Sequence, residues 1–66
     1  MPRIFIRDGE RLTCEIRPAP AGAGFHLVCT QDGEDHVEHY PLESQAKARS
    51  LRVAEDLIHD GWSLAQ

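Results

Sequence analysis

The chain has 66 residues, enough for one small domain and one core, and a domain of this size buries only about 60% of the surface its unfolded form exposes. With 41% hydrophobic and 27% charged residues and no low-complexity tract, it is too apolar for a disordered chain. Seven Lys and Arg against eleven Asp and Glu give a formal charge of −4, which argues against a dedicated phosphate-binding surface, since such surfaces are usually basic.

The opening stretch, MPRIFIRDGE, meets charge after two residues and contains no apolar run long enough for a secretion signal or a membrane span. The expectation is a cytosolic, bacterial protein without a membrane partner. Within this stretch RIFIR predicts a first strand over 3–7. Read by alternation alone, Ile4 and Ile6 face the core and Phe5 faces out.

Asp8-Gly9 then marks a hairpin turn, because Gly takes positive φ without steric cost. RLTCEIR continues as a second strand over 10–17, with Leu12, Cys14 and Ile16 on one side and Arg11, Thr13, Glu15 and Arg17 on the other. PAPAGAG, 18–24, cannot extend either strand and offers no polar side chain for chemistry, so it reads as a flexible connection.

FHLVCT gives a third strand over 25–31. Phe25, Leu27 and Cys29 lie inward, and His26, Val28 and Thr30 outward. A second Asp-Gly, 32–33, leads to a fourth strand over 34–40. If it makes a two-residue turn, Cys29 faces His36 and Phe25 faces Tyr40. If Gly33 forms a bulge, Val37 goes inside instead.

From Pro41 the apolar period changes to that of a helix. Leu51, Ala54, Leu57 and Ile58 form the expected inner stripe, extended backward by Ala48, and Ser44 is the expected N-cap. At the far end Gly61 is placed as a left-handed cap, bringing Trp62 onto Leu57. The last residues either fray or add an edge strand. A sheet and a helix with one apolar face each must cover one another. The expected fold is therefore α+β, a two-layer sandwich of a four-stranded antiparallel sheet and one C-terminal helix, forming a single domain over 1–66.

The densest chemistry lies in CTQDGEDHVEHY, 29–40, with one thiol, four carboxylates and two imidazoles. On a strand His36 and His39 point to opposite faces, and the cysteines lack paired short spacings, so no metal site and no cofactor is expected. General acid–base catalysis needs a desolvated cleft, which a flat wet strand does not supply, and no nucleophile or phosphate-loop motif is present. The chain is therefore read as non-enzymatic. Cys14 and Cys29 sit opposite one another if their strands pair with residue numbers summing to 43, and a bridge closing about 15 residues would contribute about 3 kcal/mol. Two reduced core thiols are the expectation for a cytosolic protein.

Three functions follow from these features. The leading one is a protein-interaction module or homodimer, using an outward Phe5–Val28 patch and the contrast between an arginine-bearing start and an acidic 32–43 stretch. The second is nucleic-acid binding through the outer face of the first two strands, with Arg11 and Arg17 on phosphates and Phe5 stacking on bases. The third is a small metal or redox role for Cys14 and Cys29. In layout alone the chain resembles small sheet-plus-helix DNA-binding domains such as the integrase arm-binding type. That likeness rests on no shared motif and assigns no residue.

Overall fold

The computed structural model describes residues 2–65. Five antiparallel strands, β1 (Arg3–Arg7), β2 (Glu10–Pro18), β3 (Phe25–Gln31), β4 (Glu34–Tyr40) and β5 (Ser63–Leu64), form one sheet in the order β4-β3-β2-β1-β5. One helix, α1 (Glu43–His59), joins β4 at one edge to β5 at the other. The class is α+β, with one strand more than expected. The tail is the addition: Phe5 pairs with Leu64 and Ile6 with Ser63, and the Ala65 amide donates to the Ile4 carbonyl at 2.7 Å.

Both Asp-Gly pairs make two-residue turns with φ positive at each residue, 49° and 81° at Asp8-Gly9 and 53° and 78° at Asp32-Gly33. Such turns match the twist of the flanking strands and set the register without slack. The second turn aligns Cys29 with His36, Val28 with Val37 and Phe25 with Tyr40. The bulged alternative is therefore excluded, and Val37 lies on the open face. The first turn aligns Phe5 with Leu12 and Ile4 with Thr13.

That register overturns the facing read from β1 by itself. Opposed residues share a face, so Phe5 joins Leu12 on the helix side, while Ile4 and Ile6 go to the open side with Thr13 and Arg11. Phe5 is 1% exposed and belongs to the core with Cys14, Leu27, Ala54 and Trp62. Ile6, expected inside, is 37% exposed.

The helix is also rotated from its expected setting. Ala46 and Ala54 are buried, Val53 and Leu57 pack on the core, and Leu51 and Ile58 are each 54% exposed. Large apolar residues suggest one stripe, but the buried line along the helix runs through the small residues Ala46 and Ala54. The start differs by a residue or two. Leu42, extended after Pro41, precedes the first turn, and its amide donates to Gln45 Oε1 at 3.2 Å, so Ser44 lies within the helix rather than capping it.

The helix ends as its sequence indicates. Gly61 has φ 96°, the Trp62 amide donates to the Leu57 carbonyl at 2.9 Å, and the Gly61 amide donates to Ile58 at 3.1 Å. These two bonds define a Schellman cap. They turn Trp62 into the core, where it is 4% exposed.

The 18–24 connection closes into a short turn rather than a flexible loop. The Ala19 amide donates to Gly24 at 2.8 Å, a 3-10 turn spans Pro20–Gly22, and Ala19 is buried.

Candidate functional site

Strand register places three side chains of β4, His36, Glu38 and Tyr40, on the helix side of the sheet, where Arg49 of α1 meets them. Glu38 is the hub. Tyr40 Oη donates to Glu38 Oε1 at 2.5 Å, and Arg49 Nε donates to the same oxygen at 3.2 Å. His36 Nε2 lies 3.8 Å from Glu38 Oε2. The Tyr40 hydroxyl, with smaller help from Arg49, holds the Glu38 carboxyl below its ordinary range despite partial burial, which acts the other way. The bond to Glu38 correspondingly pushes Tyr40 up.

Above this network Leu27, Cys29, His36, Glu38, Arg49 and Val53 line a cleft of ≈ 240 Å³. A cleft here departs from the flat wet strand expected of 34–40. Its chemistry is nevertheless narrow. Glu38 is an ionised acceptor already engaged by two donors, and the His36 side chain is 81% exposed, so neither is a desolvated base.

The remaining reactive group lining this cleft is Cys29. Cys14 and Cys29 face one another across β2 and β3 with Cα atoms 4.1 Å apart, and they are joined by a disulfide. The expectation of two reduced thiols is thereby corrected; the register sum of 43 that sets them opposite is the observed one. Cys14 is buried at 3% exposure, whereas Cys29 is partly exposed and borders the cleft beside its cross-strand neighbour His36.

The opposite face of the sheet carries no helix. Across it run Ile4 and Ile6 of β1, Thr13 of β2, Val28 and Thr30 of β3, and Val37 of β4. Val37 is 51% exposed, and Val28, flanked in register by Glu15 and Val37, is 5% exposed. Arg11 and Arg17 also project here, Arg17 in an ion pair with Glu15. His26 and His39 stand side by side at one end, rings 5.4 Å apart, and His39 Nε2 bonds the Ala23 carbonyl at 2.5 Å.

The expected interaction residues are therefore divided. Val28, Arg11 and Arg17 share the open face, but Phe5 lies beneath the helix, so no Phe5–Val28 patch exists. Base stacking loses its aromatic platform for the same reason. His36 and His39 do lie on opposite faces, as their spacing requires. Among the described residues no cluster of three or more His, Cys, Asp or Glu could hold a metal ion, and no helix is long and apolar enough to cross a membrane. Arg49 was not legible as a site residue, because only the packing of α1 brings it to Glu38.

Comparison with known families, curated proteins and solved structures gives no match for this chain.

Proposed function

We propose that the chain is a non-catalytic interaction domain that docks through the uncovered face of its sheet, and that it self-associates there. The observation that carries this reading is the one-sided covering of the sheet, which leaves Ile4, Ile6, Val28 and Val37 on a single open face. An antiparallel sheet can meet water on one side, but that side then alternates to polar residues. Here aliphatic residues stand on β1, β3 and β4, with Arg11, Thr13, Glu15 and Arg17 of β2 crossing the face between β1 and β3.

Surface area supports the same reading. The accessible surface is 4659 Å², against about 4,200 Å² from the scaling for monomeric proteins of this mass. The molecule measures 38 × 23 × 16 Å, so its broad side suits the ~800 Å² that each partner contributes to a standard interface. Small domains commonly gain buried area in this way. The charge contrast along the chain supplies orientation rather than affinity.

Sedimentation velocity from micromolar to millimolar protein tests the proposal. A concentration-dependent dimer is expected, and Val37→Asp, which places a charge beside Val28 on the edge strand of that face, should return it to monomer. A monomer at every concentration overturns it.

A further inference from the structure

The geometry points to Cys29 as a thiol-exchange site, at which a small aliphatic thiol forms a mixed disulfide while Cys14 serves as the resolving thiol. The site lies on the helix side of the sheet and is independent of the open face.

Three observations carry this inference. First, the two residues differ in exposure: Cys14 packs with Phe5, Leu27, Ala54 and Trp62 and is 3% exposed, although it borders a separate hollow beside Arg3 and Lys47, whereas Cys29 is partly exposed. Second, Cys29 borders the ≈ 240 Å³ cleft, room for a small molecule rather than a folded partner. Third, the Arg49 guanidinium lines the same cleft, and positive charge beside a cysteine favours its thiolate. Glu38 offsets part of that charge through its bond to Arg49. A permanently structural bridge needs none of this, and both sulfurs could lie in the core.

The chemistry balances in either direction. An incoming thiolate, RS⁻, attacks Cys29 Sγ, the Cys14–Cys29 bond breaks, and Cys14 leaves as a thiolate that takes a proton from water. A second RS⁻ then attacks the sulfur of the bound R group, giving RSSR and the Cys29 thiolate, so the pair gains two electrons and two molecules of thiol are oxidised. In reverse, the Cys29 thiolate attacks RSSR and expels RS⁻. The Cys14 thiolate then attacks Cys29 Sγ, expels the second RS⁻ and restores the bridge. Both directions pass through one intermediate, R–S–S–Cys29, because Cys29 is the more exposed of the two sulfur-bearing residues.

Glutathione is the probe. The folded, oxidised protein is mixed with reduced glutathione, quenched with acid at intervals and digested for mass analysis. Adducts are expected on Cys29 and not on Cys14. Cys14→Ser and Cys29→Ser, each checked for a native circular dichroism spectrum, are then exposed to oxidised glutathione. The Cys14→Ser protein should form its adduct at least tenfold faster than Cys29→Ser, and denaturant should abolish the difference. If either variant fails to fold, the wild-type experiment decides alone. Adducts on Cys14, equal rates in the two folded variants, or a native bridge that exchanges no faster than global unfolding would each overturn the inference.

Discussion

Phe5→Ala takes from the core one of the two largest side chains, with Leu27, that are almost wholly shut off from water. A buried Phe→Ala change costs about 3–5 kcal/mol. A domain of this length has about 3–10 kcal/mol in all, at about 0.05–0.15 kcal/mol per residue, so the change removes a large share of it. Urea unfolding at 25 °C should therefore show a much lower midpoint for the variant. Ile6→Ala, one residue along and on the open face, should change stability by no more than about 1 kcal/mol. The contrast reads out the β1 register directly. At Glu38 the prediction concerns pH. Its folded carboxyl is held below the ordinary range, chiefly by the Tyr40 hydroxyl. Such a group adds stability above its unfolded pKa and loses it as pH falls through the folded pKa. Thermal unfolding followed from neutral to acid pH should separate wild type from Glu38→Gln at neutral pH and bring the two together at the acid end. In Tyr40→Phe, NMR titration should show the Glu38 pKa moving upward.

At the scale of elements, the helix terminus and the hairpins depend on backbone that only glycine adopts without strain. A Cβ at Gly61 would meet nothing closer than Arg7 Cδ at 3.7 Å, an ordinary contact. Gly61→Ala should therefore pay only for the left-handed backbone, about 1–2 kcal/mol, seen as a lower urea midpoint. Gly24 is different. A Cβ there would stand 2.6 Å from the Tyr40 carbonyl oxygen and 3.1 Å from Pro41 Cα, both backbone atoms at the junction of β4 and α1. Gly24→Ala should thus cost clearly more than Gly33→Ala, where φ is also positive but the space is empty. The same measurement compares them. Arg7 ties these elements together. Its guanidinium lies 4.6 Å from the Trp62 ring centre and donates to the Asp60 carbonyl at 3.2 Å and carboxylate at 3.1 Å. A cation beside the last carbonyls of a helix suits the negative end of its dipole. It links the turn after β1 to the cap that feeds β5.

For the whole molecule, the disulfide joins the two central strands across 15 residues. The double replacement Cys14→Ser/Cys29→Ser should lower unfolding free energy by about 3 kcal/mol on the loop-closure account. The comparison is made by urea unfolding of the oxidised protein and the double variant at equal concentration, because dimerisation would otherwise shift the midpoint. Much of the architecture was legible in the chain itself. Two Asp-Gly turns, alternating strands, the change to a 3.6-residue period and a glycine before tryptophan are local signals, and local backbone preferences answer to them. The Cys14–Cys29 pairing was legible too, since strand register is arithmetic once the turns are known. The state of the sulfurs was not, because oxidation depends on the redox surroundings as well as on the approach of two strands. Neither was the facing of β1, where Ile4, Phe5 and Ile6 are all apolar and alternation has no polar phase to anchor it; its turn register did contain the answer. Helix rotation, the Glu38–Arg49 contact and the fifth strand were settled only when sheet and helix packed. Each joins residues far apart in sequence, and burial acts on the assembled surface rather than on any one segment.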